Sequence, residues 1–472
     1  MKKDQSPSLQ GALARRTFMK AAAGFAGTTL FGGVTFKAFA QMSSLAPADH
    51  CFVFAYFNGG WDVLLSLDPR DPAVFTPERI SETRILPGYS LLSNDASFPT
   101  NVVRPQGSNI DFGPAIGRMA NHFDQMAIVR GVNMNTVAHE VGFRYFLTGK
   151  EPNGSAARAS STATEIVGQL KPSVPVPNVA YNIETYNDRY PGYANALRVS
   201  SSNDLLLTLA PSPTALDSEI ERELVDMHGR RISCEADLYD SRGLVKQYRE
   251  SQAQMQTVLS AQLDRYFRFE DNTADTAAMR AEKAALRTLY GLRPEGGNDP
   301  RTSAAARAAL VATALKRGVS QCVSMNITGG LDTHFGTQLT HAQNQRTGWN
   351  ALADLVTDLK ASPHPSGGTF MEHTTILIFS EFSRTPLINA SGGRDHHITN
   401  SCMLLGKGIK HNTVFGKSGD VGLSAGVIDH RTGAPSATGE QILPDHVIAT
   451  VMKAANIDYS ITRVEPLAGL LA

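Results

Sequence analysis

The chain has 472 residues, 42% of them hydrophobic, which can bury a large core in anything from one big domain to about three. Its 44 basic and 44 acidic residues balance at neutral pH. Binding to nucleic acid depends on clustered Lys and Arg, and the sequence contains no such run. Length and charge therefore argue against a small scaffold held together by disulfides and against a nucleic-acid partner.

The amino-terminal segment resembles a twin-arginine export signal. Arg15 and Arg16 lead into a modestly apolar, Gly/Ala-rich stretch over residues 21–34, and the small residues Ala38 and Ala40 follow. A membrane anchor is the alternative, but this stretch is shorter than the roughly 20 residues that span a bilayer. We expect cleavage after Ala40, the twin-arginine translocase as a partner during export, and a periplasmic or otherwise exported mature chain.

The mature chain is expected to be slightly acidic and to have no membrane span. Removal of residues 1–40 takes away six basic residues and one acidic residue, which leaves 38 basic against 43 acidic residues. The sequence has no second hydrophobic segment of the length that a bilayer requires.

Apolar runs alternate with amphipathic segments over residues 41–472, which is typical of a single α/β domain with one sheet and helices on both faces. The predicted buried strands are Cys51–Phe57, Met126–Val132, Cys322–Thr328, Thr374–Ser380 and Ser401–Gly406. The predicted helices are Pro114–Phe123, His139–Leu147, Ala304–Arg317, Thr340–Leu359 and Asp445–Ala455.

A charged segment over residues 217–289 differs from the rest because it is almost free of Gly and Pro. Its apolar side chains recur at helical spacing. We expect a helical insertion that packs on the main domain as a cap, in preference to a catalytic role.

Polar motifs directly follow four of the predicted strands. NGGWD follows the first strand, NMNTVAH the second, GGLDTH the third and EFSRT the fourth. In open α/β sheets, ligands bind at the carboxyl edge of the strands, so these loops are expected to converge on one crevice. A fifth motif, GGRDHHITN at residues 392–400, lies between the last two predicted strands and fits either metal ligands or a polar turn.

Three of these motifs carry candidate ligands. Asp62 follows a glycine pair, which allows a tight turn that faces a cation, although Asp is also a common turn former. Asp332 and His334 together suit Zn, Mn or Fe better than Ca or Mg; the alternative is a helix-capping Asp beside a surface His. Glu381 and Arg384 are either a metal carboxylate beside an anion-binding guanidinium or a buried pair that braces the loop.

Together, the motifs resemble those of a bacterial family of exported proteins of unknown function that is related to the alkaline phosphatase and sulfatase superfamily. That family has GG-x-D after its first strand, Ser-His at a helix start after the second, GGWDTH after the third, SEFGRT after the fourth, and then GGTDHG. The counterparts here are GGWD, Ala138-His139, GGLDTH, SEFSRT and GGRDHH, in the same order from about Phe52 to Ile457. The resemblance implies an alkaline-phosphatase-like fold with a mixed, mostly parallel sheet.

The resemblance also implies a site for two metals. In active relatives, the acid that corresponds to Asp62 binds one metal, and the acid and histidine that correspond to Asp332 and His334 hold the other. Glu381 stands where relatives have an Asp followed by a His, and here Phe382 takes the place of that His.

The last motif is expected to close the site. Asp395 and His396 correspond to the final acid and histidine of the relatives. His397 replaces the usual glycine, so the sequence leaves open which of the two imidazoles points inward.

His139 takes the place of a nucleophile in this resemblance. The stretch HEVGFRYFLTGK resembles the sulfatase helix that begins with the catalytic nucleophile and ends in Leu-Thr-Gly. Hydrolysis through a covalent ester needs an activated Ser, Thr or Cys, but the family's serine is Ala138 here and Thr136 is the nearest hydroxyl. Without Thr136, His139 is expected to be a metal ligand or a general base, and water attacks directly.

The sequence thus predicts a metal-dependent hydrolase of phosphate, sulfate or related esters, with one or two divalent ions of Zn or Mn and a small anionic ester held by Arg384 or Arg394. The catalytic candidates are His139, Thr136 and Arg384. The metal candidates are Asp62, His139, Asp332, His334, Glu381, Asp395 and His396. The alternative is a non-catalytic periplasmic or surface binding or assembly protein that keeps the fold. The other histidines, including His341, are expected at the surface or at helix ends.

Overall fold

The computed structural model describes residues 46–209, 263–293 and 303–472. The expected export signal over residues 1–40 lies outside them, and so does most of the expected helical insertion over residues 217–289. The described part of that insertion contains a 3-10 turn at Leu263–Phe267 and an α-helix at Ala277–Tyr290.

A sheet of eight strands forms the centre of the fold. Its strands are β1 (Cys51–Phe57), β2 (Met126–Asn133), β3 (Asn178–Tyr181), β4 (Leu197–Val199), β5 (Cys322–Thr328), β6 (Thr374–Phe379), β9 (Thr399–Gly406) and β10 (Thr413–Phe415). Two separate strand pairs are β7 (Ser383–Arg384) with β8 (His396–His397) and β11 (Val427–Ile428) with β12 (Glu440–Gln441). The strand order in the main sheet is β10-β2-β9-β6-β1-β5-β3-β4.

The predicted mixed, mostly parallel sheet is confirmed. Every pair of neighbours is parallel except that β9 runs antiparallel to both β2 and β6. β1 and β5 have the predicted bounds, while β9 begins at Thr399, two residues before the predicted start. The short strands β3, β4 and β10 were not predicted, because three or four residues give too little periodicity to detect.

The side chains of β1 alternate between two cores, so helices cover both faces of the sheet. The α-helices that the structure describes are α1 (Ile80–Thr83), α2 (His139–Thr148), α3 (Thr162–Leu170), α4 (Ser202–Leu209), α5 (Ala277–Tyr290), α6 (Ala304–Lys316), α7 (Gln338–Ala361) and α8 (Pro444–Ala454). Val53 and Ala55 belong to the core that includes α6 and α7, and Phe52 and Phe54 belong to the core that includes α2, α3 and α8. None of these helices has the length and apolarity to cross a membrane.

The helix predicted at Pro114–Phe123 is not an α-helix. The segment Pro114–Gln125 is a 3-10 helix interrupted at Gly117, whose φ of 58° and ψ of −142° do not fit within a helix. Glycine alone adopts that conformation readily, because it has no Cβ. The amphipathic pattern was therefore correct about burial and wrong about the type of helix.

A candidate metal centre at the carboxyl edge of the sheet

The five motifs lie at one edge of the sheet. Four of them follow β1, β2, β5 and β6, which all point in the same direction. The fifth precedes β9, and because β9 is reversed, its amino end lies at the edge where the other strands end. There β8 pairs antiparallel with β7, with His396 opposite Arg384.

Four side chains form a cluster at this edge: His139, Asp332, His334 and His396. The distances from Oδ1 of Asp332 to the Nε2 atoms of His334, His139 and His396 are 3.2, 3.7 and 3.8 Å. The Nε2 atoms of His334 and His396 are 2.9 Å apart. The four residues come from three loops that are far apart in the sequence, and all four side chains are partly exposed.

Each imidazole of the cluster places its other nitrogen, Nδ1, against an oxygen acceptor. The pairs are His139 with Glu381 Oε1 (2.7 Å), His334 with Asp395 Oδ1 (2.8 Å) and His396 with the carbonyl oxygen of Val137 (2.7 Å). Because a carboxylate or carbonyl oxygen only accepts, each Nδ1 carries the proton. In its neutral form, each ring therefore presents an Nε2 lone pair to the cluster.

This donor set fits a transition metal. The Nε2 lone pairs of His334 and His396 face each other and repel, whereas a cation beside Oδ1 of Asp332 would attract both. Imidazole nitrogen with one carboxylate oxygen suits Zn or Mn, and metal-bound histidines usually donate their second N–H to a carboxylate or carbonyl. The ligand atoms of His139, Asp332 and His396 all lie within 4.8 Å of one another, and His334 adjoins this set through Asp332 and His396.

Glu381 accepts a hydrogen bond from Nδ1 of His139, on the side of the ring that faces away from the cluster, and is not a member of the cluster. It is fully buried, and its Oε1 also accepts a hydrogen bond from the backbone N of Gly59 (2.9 Å), while Oε2 accepts one from Ser380 Oγ (2.8 Å). The hydrogen bond from His139 to Glu381 raises the pKa of His139, and burial opposes this effect. The structure thus places Glu381 as the residue that orients His139 and fixes its tautomer.

Arg384 braces the loops beneath the cluster. Its buried guanidinium donates to the carbonyl oxygens of Gly59, Gly60 (2.9 Å) and Arg394 (3.1 Å) and to Oδ1 of Asp332 (2.8 Å). Burial acts to raise the pKa of Asp332, but the hydrogen bond and charge of Arg384 outweigh it, and the pKa is lowered. These buried contacts contradict the prediction that Arg384 holds a substrate anion.

Asp62 is buried away from the cluster and forms an ion pair with Arg394. Its Oδ2 lies 2.9 Å from Nε of Arg394 and accepts a hydrogen bond from Gln338 Nε2 (2.6 Å), while Oδ1 caps a 3-10 turn at the backbone N of Leu64 (3.0 Å). The remaining donors of Arg394 bind the carbonyl oxygens of Leu86, Pro87 and Thr385. The structure therefore does not bring Asp62 to the cluster, and the guanidinium of Arg394 is buried among the protein oxygen atoms that it binds.

One face of α7 supports the turn at Asp62, and its residues were not among the predicted site residues. His341 Nε2 accepts a hydrogen bond from the backbone N of Asp62, and Gln345 Nε2 donates to its carbonyl oxygen, both at 2.9 Å. His341 is buried, contrary to expectation, its Nδ1 lies 2.7 Å from Thr333 Oγ1, and burial lowers its pKa to about 3. The available signal was that Gln338, His341 and Gln345 are spaced as one helix face.

Asp395 and His397 flank the cluster without entering it. Asp395 contacts His334 at Nδ1, and this hydrogen bond lowers the pKa of Asp395. His396 and His397 lie on opposite sides of β8, and His397 places Nδ1 3.2 Å from the backbone N of Thr399. His396 is therefore the imidazole that points inward.

The loop before α2 directs its hydroxyl group to its own backbone. Thr136 Oγ1 accepts a hydrogen bond from the backbone N of Ala138 (3.1 Å), which closes a local turn. Phe382 is fully buried where relatives were expected to have a histidine, with its ring centroid 4.7 Å from that of His139 and 4.3 Å from that of His396. An aromatic ring thus packs against the cluster in place of a further nitrogen.

A second group of metal-ligand type lies outside this edge. His430, Glu440 and His446 offer atoms within 4.8 Å of one another. His446 Nδ1 accepts a hydrogen bond from the backbone N of Leu443 (3.0 Å), so the neutral ring carries its proton on Nε2. Neither nitrogen of His446 then has a free lone pair, and the group fits a metal less well than the cluster does.

One comparison with known proteins decides the family. The family described as "Protein of unknown function (DUF1501)" matches residues 52–430. The chain belongs to the DUF1501 family. The match includes all five motifs of this DUF1501 protein and every residue of the cluster. Among proteins with curated descriptions, none matches the chain.

Two solved structures are similar to this DUF1501 protein, both of them mutants of TAB5 alkaline phosphatase with bound Mg. Each has 10% sequence identity, covers 88% of this chain and 99% of its own, and superposes with a TM-score of 0.32. A TM-score that low transfers no residue role to the DUF1501 chain, so the interpretation of the cluster rests on its own atoms.

Proposed function

We propose that the protein binds one divalent metal ion, Zn or Mn, through His139, Asp332, His334 and His396 and hydrolyses small anionic esters of the phosphate or sulfate class. The observation that carries the proposal is the set of three Nε2 lone pairs around Asp332 Oδ1, with each Nδ1 already held by an oxygen acceptor. Because Asp62 is paired elsewhere, the four ligands support one ion in preference to two.

The protein's own residues would hold the site open and fixed. Glu381 and Asp395 keep the rings of His139 and His334 in the tautomer that a metal requires. Arg384 holds Asp332 in place, and the partly exposed ligands leave one side of the cluster accessible to an ester. When bound, a divalent metal supplies positive charge that polarises an ester oxygen and makes water more acidic.

The loop before α2 has a single hydroxyl, that of Thr136, and its position in a local turn supports direct attack by water. Ala138 stands where a serine was expected, and the hydroxyl of Thr136 accepts a hydrogen bond in its own turn. A covalent ester on this loop would require that turn to open. Replacement of Thr136 by Val is therefore expected to leave hydrolysis nearly unchanged.

The test combines metal analysis with an activity screen. Purified protein loaded with Zn or Mn is expected to retain about one ion per chain after desalting, because a nitrogen-rich set of four ligands binds tightly. Asp332→Asn should lose the ion and reduce hydrolysis of an aryl phosphate or aryl sulfate by about 100-fold or more. Wild-type protein that retains no metal and hydrolyses no ester would overturn the proposal.

A second candidate function is that of a metal-dependent binding protein without catalysis. The favouring observations are Ala138 at the nucleophile position and Phe382 at the position of an expected histidine. Stoichiometric metal with no turnover of a broad panel of phosphate and sulfate esters would select this function over hydrolysis.

We further propose that the chain is exported by the twin-arginine route, with the translocase as its partner. Arg15 and Arg16 and the small residues before Gln41 support this proposal. The double change Arg15→Lys and Arg16→Lys is expected to leave the full-length chain in the cytoplasm of a bacterial host. Normal appearance of the processed chain in the periplasm would contradict the proposal.

A further inference from the structure

Exposed apolar side chains are concentrated beside the cluster. Each of its three histidines has a large, exposed apolar residue within two positions of it in the sequence: Val137, Phe335 and Ile398. Eight large apolar side chains are exposed in the part of the chain that the structure describes, and Phe335, at 87%, is the most exposed of them. Single exposed apolar residues are common, but several at one place on a surface mark a binding site.

Two hydrogen bonds join the loops that carry Val137 and Ile398. The carbonyl oxygen of Val137 accepts from Nδ1 of His396 (2.7 Å), and the carbonyl oxygen of Ile398 accepts from the backbone N of Met134 (2.9 Å). The backbone of both apolar residues is therefore fixed beside His396, although the two loops are far apart in the sequence.

Phe335 lies beside His334. The centroids of the two rings are 6.2 Å apart, with an angle of 47° between their planes, which is the separation of an interacting aromatic pair. His334 in turn places Nε2 3.2 Å from Oδ1 of Asp332, and its ring centroid lies 4.6 Å from that of His396. Only the imidazole of His334 therefore separates the Phe335 ring from the atoms at which an ester would react.

The exposed charged residues next to these histidines are acidic. Glu140 follows His139 and Asp395 precedes His396, and both are exposed. Negative side chains at this edge repel a second negative charge on a ligand. The part of the ester that lies outside the reacting group is therefore expected to be neutral.

We infer that Phe335 contacts a neutral aromatic body in the alcohol part of the ester and so determines substrate specificity. The inference rests on the proposed function for the cluster and adds the substrate class: aryl and benzyl esters. A ring joined to the reacting group by one or two atoms would pack against the Phe335 ring, and a larger body would also meet Val137 and Ile398. Phe335 would not touch the reacting atoms.

The test uses metal-loaded protein and ligands that cannot be hydrolysed. Benzylphosphonate has a methylene group where an aryl phosphate has its bridging oxygen, and methylphosphonate lacks the ring. In titration calorimetry, wild-type protein is expected to bind benzylphosphonate about tenfold more tightly than methylphosphonate, because the ring is partly removed from water. Phe335→Ala should lower this ratio to about two and leave the affinity for methylphosphonate unchanged. Benzylsulfonate and methanesulfonate test the sulfate class by the same ratio.

Leu170→Ala is the matched control. Leu170 is also exposed, but it is the last residue of α3, and the chain that follows it enters β3 at the opposite edge of the sheet. Its replacement should leave the ratio at the wild-type value. Because both side chains are exposed, neither variant should change the melting temperature. A wild-type ratio in Phe335→Ala would overturn the inference, as would an equal loss in Leu170→Ala.

Activity measurements separate this inference from the proposed function. If the wild-type protein hydrolyses no ester but prefers the benzyl ligand through Phe335, the aromatic specificity is correct and the hydrolase is not. If it hydrolyses phenyl and alkyl esters equally well, with or without Phe335, the specificity alone fails. Protein that retains no metal and binds neither the phosphonates nor the sulfonates would overturn both.

Discussion

His334 and His396 place their Nε2 atoms 2.9 Å apart, although each ring donates its Nδ1 proton to a different oxygen. Two unprotonated nitrogens at that distance are unfavourable unless a proton or a cation lies between them. His334 lies in the loop that follows β5, and His396 lies in β8, which precedes β9. The contact is therefore imposed by the fold and not by neighbouring sequence.

The two histidines of β8 offer a direct test of the cluster. His396→Ala should reduce Zn or Mn affinity by about 100-fold or more, because it removes one of four ligands. His397→Ala, on the opposite side of the same strand, should leave affinity unchanged. Metal titration of the two variants is the measurement, and equal affinities would show that His396 is not a ligand.

Glu381→Gln tests the residue behind His139. The amide oxygen can still accept from Gly59 and His139, and Ser380 can accept from the new amide because its hydroxyl also lies 2.7 Å from the carbonyl oxygen of Phe57. The variant should fold, but metal affinity should fall by about 10- to 100-fold, because the negative charge behind His139 is lost.

The pKa of His139 gives this variant a second readout. The hydrogen bond to Glu381 raises that pKa in the wild-type protein, so NMR titration of metal-free Glu381→Gln should show a lower value. An unchanged pKa together with unchanged metal affinity would remove the positioning role of Glu381.

Arg384→Lys distinguishes a structural arginine from one that binds substrate. The guanidinium of Arg384 donates hydrogen bonds to four residues: Gly59, Gly60, Arg394 and Asp332. The single ammonium group of lysine cannot make all of these hydrogen bonds. The free energy of unfolding should fall by about 3 kcal/mol or more, because buried partners are left unpaired. Denaturant unfolding measures this loss. If stability is unchanged and only the KM for the ester rises, the result would support the original prediction that Arg384 binds the substrate anion.

His341 should make the protein sensitive to acid. Its folded-state pKa is lowered to about 3, whereas an unfolded histidine titrates near 6.5, so the unfolded state binds more protons between these values. The stability due to the neutral ring is fully present above about pH 6.5 and falls as the pH drops toward 3, by at most about 1.4 kcal/mol per pH unit.

His341→Gln isolates this contribution. Glutamine can still accept the hydrogen bond from the backbone N of Asp62 but does not titrate. The difference in unfolding free energy between wild type and variant should therefore shrink as the pH falls from 6.5 to 4. A difference that is independent of pH would show that His341 is not held neutral.

The strands with the most accurately predicted bounds are those buried on both faces. β1 and β5 lie in the middle of the sheet, so every side chain is apolar or tightly packed and the run is continuous. The edge strands β4 and β10, and β3 next to β4, are too short to give such a run. The break at Gly117 depends on a backbone conformation that an amphipathic pattern does not reveal.

The sequence was sufficient to predict which loops meet at the site, but not which side chains contact one another there. Sequence order placed Asp332, His334 and His396 at one edge, and the structure brings them together. The pairing of Asp62 with Arg394 depends on where two loops cross, which spacing alone does not determine. The acceptor for His396 is the backbone carbonyl of Val137, and any residue type offers such a group.

The reversal of β9 determines whether His396 can reach the site at all. β9 has eight residues, and at about 3.3 Å per residue such a strand spans about 26 Å. Had β9 run parallel to its neighbours, His396 would lie at the far edge of the sheet, a full strand length from Asp332. In this fold, a polar motif that reaches the site follows a strand of the common direction and precedes a strand of the opposite direction. The order of motif and strand in the sequence therefore indicates the direction of the strand.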